Sequence, residues 1–527
     1  MNRNLMISML AEKTTWDVVV IGGGATGLGA ALDAISRGYR TILLEAADFA
    51  KGTSSRSTKL IHGGVRYLRS GQIGMVRESL RERTRLLNNA PHIVHPLRFV
   101  IPSYRRGSRW YYLAGLKAYD FLAGRDGLRN SCLLSAEQVA QSLPTLSTQG
   151  LRGGVAYSDG QFNDARLAIS LAQTIVQSGG VVLNYCPVTE LILLGNRING
   201  VACRDNESGQ VFQVRAKVVV NATGVFADSM MNLDLSESIS NRPQVVPSQG
   251  SHIVLSRDFL PGNEGLMIPD TDDGRVLFAI PWEGHTLLGT TDHRVEHISL
   301  EPKPGRHEID YLLEHAGRYL VRKPGVSDIQ SIFAGLRPLL GQPGGKKSTA
   351  NLSREHDLHV SPAGLLTVIG GKWTTYRKMG EEVINKAATI GSLPHATSRT
   401  ATLPLHGSSA VINHSRPDTA TLSENDVTAA GIPSLVDEAS SRSDLLIPGL
   451  PYVKAQVVQA VRQEMARTIE DVLSRRLRAL LLNAQAAIDS APVVAKIMQT
   501  ELQQTDSWRV QQIRDFTELA TSYLPPV

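Results

Sequence analysis

The sequence predicts an α/β fold with a second, antiparallel sheet and an all-α C-terminal unit. Three observations lead there. Trp16–Ile21 (WDVVVI) is a valine-rich apolar run, followed by a glycine cluster, a helix over Ala30–Ser36 and a second short apolar run over Thr41–Glu45. That is a buried βαβ unit. Between Val245 and Thr290 the texture changes to short β-rich stretches divided by Pro and Gly (SHIVL, RVLFAIPW, HTLLGTT), as in an antiparallel sheet. From Val457 to Leu482 apolar residues recur mostly at three- and four-residue steps, the helical period.

The remaining elements follow in order. The first dozen residues (MNRNLMISMLAE) carry one Arg, a broken apolar stretch and no small-residue cleavage site. They read as a frayed extension rather than a signal peptide. Val76–Leu87 is helical and heavily charged. Arg105–Phe121 mixes basic residues with five aromatics, which suits a helix in a lipid headgroup layer or one packed on the protein with a solvated basic face. Leu167–Ser178 is a further apolar helix, and Val181–Asn184, Val188–Leu194 and Val211–Val220 are strands. In SDGQFNDARL, the residues Asp159, Asp164 and Arg166 read as a structural ion-pair turn. Leu365–Ile369 returns to the buried-strand type, a helix runs through Tyr376–Ile390, and Arg399–Asp426 is a linker or an irregular entry to the next domain.

Composition bounds the function. The 527 residues are 42% hydrophobic and 20% charged, which excludes a largely disordered chain. The net charge of +6 suits anionic small molecules or an anionic membrane surface. No lysine/arginine block is present, so nucleic acid is not an expected partner. Cys132, Cys186 and Cys203 form no CxxC pair. That argues against a disulfide framework or a zinc site, and points to a reducing compartment. No apolar run reaches the ~18 residues that would suggest a spanning helix.

The most informative motif is GGGATG at 22–27. Gly22, Gly24 and Gly27 fill GxGxxG between a strand and a helix. The first glycine permits the tight turn, the second lets a pyrophosphate approach the backbone, and the third lets helix and strand pack closely. Glu45 ends the next strand 21 residues after Gly24, where a carboxylate can accept both ribose hydroxyls. This fingerprint alone leaves NAD and FAD open. Two later segments favour FAD. One is VVVNATG, a buried strand ending at Ala222, Thr223 and Gly224. The other is IGGKWTTYR, a glycine-rich helix start carrying Gly371, Lys372, Thr374 and Thr375. Such a helix start can offer N–H groups to a flavin ring that gains charge on reduction. The hydroxyl-rich loop TSSRSTKLIHGG can cradle a ring edge. Its Thr53, Ser54, Ser55, Lys59, His62 and Gly63 are assigned to the cofactor.

With these stretches in view, the sequence resembles the FAD-dependent, aerobic-type glycerol-3-phosphate dehydrogenases of the D-amino-acid-oxidase-like flavoproteins. The segments that carry the resemblance are IGGGATGLGAA, LLEAADFAKGTSSRSTKLIHGGVRYL, YSDGQFNDARL, VVNATG, GSHIVL, LLGTTD, AGLRPLL, LSREHDL and GGKWTTYRKM, in family order. The tail RTIEDVLSRRLRALLLNA resembles the family's C-terminal domain. Gln249 departs from the lysine expected in some relatives. The implied organisation is an oxidoreductase region over 15–390, with FAD-binding segments at about 15–105, 150–245 and 355–390 and a substrate-side sheet at about 246–354. A linker and helical domain would follow over 391–527.

The resemblance implies oxidation of sn-glycerol 3-phosphate to dihydroxyacetone phosphate, with a hydride passing to FAD and electrons to a membrane quinone. Arg66, Tyr67 and Arg354 would hold the phosphate. Arg337 and Lys372 would sit nearer the reacting carbon. His62 and His252 are the candidate bases, because an unperturbed imidazole titrates near working pH. A homodimer held peripherally on the cytoplasmic face of a membrane is expected, and no metal. Rival readings are an oxidase that uses oxygen, an amine or amino-acid oxidase of the same superfamily, and a non-catalytic flavin-bound scaffold.

Overall fold

The computed structural model describes residues 1–12, 14–68, 71–269, 271–341, 356–408 and 445–526, except for the Arg66 side chain. Two sheets organise these residues. The first has, among them, eight strands, and Trp16–Ile21 lies at its centre between Val211–Asn221 and Thr41–Leu44, parallel to both. Val181–Leu183 extends one side and Leu366–Gly370 the other. Near-continuous valine and leucine are what strands covered on both faces require. The covering helices are Ala25–Ser36, Asp164–Gln177 and Tyr376–Ile390. The first and last of these touch through glycines: a Cβ on Gly380 would lie 2.5 Å from the Gly29 backbone. Only bare backbones approach so closely.

The second sheet is longer, with ten strands among the described residues. Its backbone is the antiparallel pair Gln244–Ser256 and Ile329–Gly341, in register from Gln244↔Gly341 to Val254↔Ser331. The stretches between Val245 and Thr290 form the expected antiparallel strands. Val94–Pro102 and Gly154–Phe162, which the sequence reading placed with the FAD-binding segments, join this sheet instead. Their alternation is compatible with either sheet, and only long-range pairing decides.

The C-terminal unit is helical, with Lys454–Glu464, Ala484–Glu501 and Asp506–Thr521 packing around Ala487, Ala491, Val494, Met498 and Phe516. It shares one apolar core with the second sheet. Ser331 Oγ donates to the Leu480 carbonyl at 2.8 Å, and Ile332 N–H to the Tyr523 carbonyl at 2.8 Å.

Three local expectations are corrected. The N-terminus is not frayed: Arg3–Ala11 is a helix capped by Asn2. The buried Arg3 pairs with Asp205 at 2.6 Å, which pins the helix to the first sheet's hairpin. The helical run from Val457 to Leu482 is broken. It turns at Met465 (φ +56), becomes a π-turn over Asp471–Arg476, and turns again at Arg478 (φ +66). Asp159, Asp164 and Arg166 do not pair with one another. They pair with Arg83 (2.8 Å), Lys59 (2.6 Å) and Glu464 (2.5 Å), because the strand and the helix they lie on face different neighbours. The linker reading of 399–426 falls largely outside the described residues.

Candidate active site

The first strand, the loop after the second, and the helix start at 371–376 converge on one cavity of about 720 Å³. The long central strands of the second sheet close it from the other side. Gly22, at φ +107, makes the turn into the first helix. A Cβ on Gly27 would lie 1.9 Å from the Gly22 carbonyl oxygen, so the helix packs on the strand only with glycine there. Gly24 caps that helix in extended backbone, and a Cβ on it would meet nothing nearer than Ser54 Oγ at 3.1 Å. The cradle therefore stays open at Gly24 and shut at Gly27.

Glu45 accepts from Gly23 N–H at 2.6 Å and Ala47 N–H at 2.8 Å. Burial pushes its carboxyl up, and those two donors oppose the shift. Thr53 donates to the Leu336 carbonyl at 2.5 Å, and Ser54 Oγ accepts from Ala25 N–H at 2.9 Å. These bonds tie the loop to the second sheet and to the first helix. Trp373 Nε1 reaches the Ser54 carbonyl at 2.8 Å, joining the loop to the late helix start. Gly370 and Gly371, at φ +86 and +95, supply the turn there. Thr374 donates to the His62 carbonyl at 3.3 Å, and Thr375 to the Lys372 carbonyl at 3.4 Å. Ala222, Thr223 and Gly224 line the cavity where Val211–Asn221 ends.

The cavity also gathers cations. Arg337 Nη2 donates to Thr290 Oγ1 at 2.9 Å and to the Thr291 carbonyl at 3.1 Å, with Asp292 at 3.6 Å from its Nη1. Lys372 Nζ donates to Ser79 Oγ at 2.7 Å and lies 5.0 Å from the centroid of the Tyr67 ring. His62 and His252 both line the space. His252 Nε2 meets Thr58 Oγ1 at 2.9 Å, and its ring stacks on Phe333 at 4.8 Å. Its Nδ1 has no hydrogen-bond partner among the described residues. Burial, then the charges of Lys59 and Arg337, hold the ring well below the usual histidine range, so it is neutral.

A model of the FAD-dependent oxidoreductase family matches residues 17–377, and a model of the C-terminal domain of alpha-glycerophosphate oxidase matches residues 398–509. The mitochondrial glycerol-3-phosphate dehydrogenases of Rattus norvegicus and Homo sapiens are each 37% identical to the chain. Those matches cover 99% and 97% of it, and 75% and 74% of the relatives. The chain belongs to the FAD-dependent glycerol-3-phosphate dehydrogenase family. A solved member from Bacillus halodurans, in complex with FAD, aligns with a TM-score of 0.78 at 28% identity, covering 100% of this chain and 98% of that one.

FAD is thus the cofactor of this dehydrogenase-family chain, and the cradle fits it. The open backbone at Gly24 suits a pyrophosphate, and Glu45 keeps lone pairs for ribose hydroxyls. Among the sequence-predicted residues, Thr375 does not line the cavity, and neither do Ser55 and Lys59. The last two lie beneath the loop, where Lys59 Nζ donates to the Ser55 carbonyl at 2.8 Å. Gly63 is likewise behind the surface, its N–H held by Tyr119 OH at 2.8 Å and Asp159 at 3.2 Å. A Cβ on it would lie 2.3 Å from that hydroxyl. The backbone of Arg66 lies in the turn Val65–Leu68, but its side chain is outside the description, and Arg354 lies outside the described residues altogether. Sequence reasoning missed Tyr119, Asp159, Thr290 and Thr291 as site-building residues. Tyr119 was visible only as one aromatic in a basic helix. Asp159 stood in a matching segment but was read as part of a turn.

Proposed function

We propose that this protein oxidises sn-glycerol 3-phosphate to dihydroxyacetone phosphate and passes the electrons to a membrane quinone. The observation that carries this reading is the convergence of Arg337, Lys372 and Tyr67 on the cavity that holds the dinucleotide cradle. The names of the 37%-identical relatives support the same substrate. A phosphate monoester is a dianion near neutral pH, and cations with defined donor geometry are what would bind it. Bound FAD supplies a two-electron hydride acceptor. Arg337, fixed by Thr290 and Thr291, is suited to stabilise alkoxide character at the reacting carbon, and Lys372 to bind anionic substrate. His252 is neutral, lines the cavity and meets Thr58 Oγ1 through Nε2, which suits its ring to take the hydroxyl proton.

Peripheral membrane attachment belongs to the same reading. The helix Ser108–Ala123 buries Leu116, Tyr119 and Ala123 and leaves Trp110, Tyr111 and Phe121 at 55%, 65% and 85% exposure. Arg105, Arg106 and Lys117 are exposed beside them. Aromatic and basic side chains on one surface suit a headgroup layer. Among the described residues, no helix is long and apolar enough to cross a membrane.

One observation favours a second reading, in which oxygen replaces the quinone: the C-terminal match is to a domain of alpha-glycerophosphate oxidase. The deciding experiment reduces the flavin anaerobically and then admits either acceptor. Glycerol 3-phosphate should bleach the flavin of the purified protein, and a soluble quinone should reoxidise it much faster than oxygen does. A flavin that stays oxidised removes the substrate assignment, and faster reoxidation by oxygen removes the quinone.

A further inference from the structure

Two cations reach one buried carboxylate from opposite ends of the chain. Asp164 accepts from Lys59 Nζ at 2.6 Å through Oδ2 and from Arg478 Nη2 at 3.0 Å through Oδ1. The same cations share a second acceptor, the Ser55 carbonyl, each at 2.8 Å. Both residues hold left-handed backbone, Lys59 at φ +62 and Arg478 at φ +66. Residues with a side chain keep that conformation only where their surroundings impose it, and such sites cluster at functional centres. Among the described residues, neither cation is ion-paired with a second carboxylate. Two charges against one are an expensive arrangement for a core, and poor evidence of a purely stabilising role.

The cluster leads to the cavity by contact. Lys59 Nζ lies 5.2 Å from the centroid of the Phe333 ring, which stacks on His252. Ser57, through its N–H and hydroxyl, also donates to Asp164, at 3.1 and 2.7 Å. Between Ser57 and Lys59 stands Thr58, whose hydroxyl meets His252 Nε2. Every residue flanking that hydroxyl is therefore anchored to Asp164, and the anchor is completed from the C-terminal unit.

We infer that Arg478 is a positioning residue of the active site: with Lys59 and Asp164 it fixes the 55–59 loop and, through Thr58, the His252 ring. This rests on the role given above to His252 and its substrate. The electrostatics run in the same direction. Lys59 faces Asp164, Arg478 and Glu283; burial pushes it down to about 7, against the attraction of Asp164. His252 faces Lys59 and Arg337, and both oppose its protonation. Removing the Lys59 charge should therefore raise the imidazole's titration point.

The test uses the full-length, FAD-loaded protein as Arg478→Met, Arg478→Lys and Lys59→Met. Anaerobic flavin reduction by glycerol 3-phosphate is followed against pH. In parallel, the His252 ring is titrated by NMR with labelled histidine, and amide exchange is read over 55–59. Arg478→Met should slow reduction at saturating substrate roughly tenfold or more, with little change in half-saturating concentration, and should speed exchange in the loop. Arg478→Lys should recover most of the rate, since it keeps a cationic donor for Asp164. Lys59→Met should move the acid limb of the profile and the His252 titration upward together, on the order of one pH unit.

The inference is overturned if loaded Arg478→Met reduces at the wild-type rate, or if its loss lies only in half-saturation. It is equally overturned if Lys59→Met moves neither the limb nor the ring titration. Should Arg478→Met not retain FAD, Lys59→Met decides by its own criterion, and a loaded Arg478→Lys that fails to keep most of the rate also overturns the inference. A wild-type flavin that the substrate fails to reduce would sink the proposed function instead, while ring titration and loop exchange would still decide this inference.

Discussion

Gly24 and Gly27 are alike in the motif and opposite in their surroundings. Gly27→Ala would place a methyl 1.9 Å from the Gly22 carbonyl oxygen, a backbone atom that cannot turn aside as a side chain could. Overpacking of that kind costs about 1–3 kcal/mol or more, so the variant should melt lower and lose FAD. Gly24→Ala meets only Ser54 Oγ and should keep the fold and its melting point, yet lose FAD because its methyl stands where the pyrophosphate approaches. Melting and FAD release measured on both variants check the contrast, and equal melting would refute it. Arg337→Ala should slow flavin reduction roughly tenfold or more at saturating substrate. Because it is assigned to the reacting end, glycerol and glycerol 3-phosphate should suffer alike. A change in half-saturation alone would make it a binding residue. Gly22, Gly27 and Glu45 were legible in the sequence because their partners lie within one βαβ unit. The hydrogen bonds that hold Gly63 were not, since Tyr119 and Asp159 are 56 and 96 residues away.

Among the elements, the π-turn Asp471–Arg476 was read as continuous helix, and it carries the seam between the two parts of the molecule. Arg475 Nε donates to Asp48 at 2.5 Å, and Arg476 Nη2 to the same carboxylate at 3.0 Å. Beside them Glu301 pairs with Lys51 at 2.8 Å and Arg56 at 2.7 Å. Burial alone would raise the carboxyl of Glu301, but Arg56 and Lys51 outweigh it and hold it down to about 2, from an ordinary 4.5. The arginine pair likewise holds Asp48 well below its usual range against burial. For groups depressed in this way, the unfolded chain binds more protons as the medium turns acid. Stability is present above the ordinary carboxylate range and falls as pH drops through it toward 2, by about 1.4 kcal/mol per unit for each proton taken up. Amide exchange over 45–59 and 465–480 should rise in that window before exchange in the first sheet does. Arg475→Met should flatten the response; a wild-type slope in that variant would place the acid sensitivity elsewhere. One sign of the break did lie in the sequence: Val472 to Leu477 is a five-residue step, whereas the other steps from Val458 to Leu480 are three or four.

At the scale of the whole molecule, the sequence made the two architectures legible but not which strands each recruits. Val94–Pro102 and Gly154–Phe162 lie next to first-sheet segments in the chain, yet pair with each other and, through Gly265–Ile268, with the second sheet. The predicted attachment to membranes also belongs at this scale. With vesicles containing anionic lipid, the protein should sediment at low salt and be partly released at high salt, because screening weakens charge attraction. Trp110→Ser with Phe121→Ser should release it further while leaving FAD content intact. Unchanged sedimentation would move the contact surface away from this helix.

The seam has a consequence for how the protein comes into being. Asp48 and Arg475 lie 427 residues apart in sequence, and Arg478 lies 423 from the Ser55 carbonyl it completes. On the ribosome the loop from Glu45 to Lys59 emerges early, and its Asp48 carboxylate and Ser55 carbonyl lack their arginine donors until residues 475–478 have been made. Contacts of such separation form late. Capture of the flavin should therefore wait for residue 478: nascent chains arrested short of it should carry little FAD, and chains extended well beyond it should acquire the cofactor.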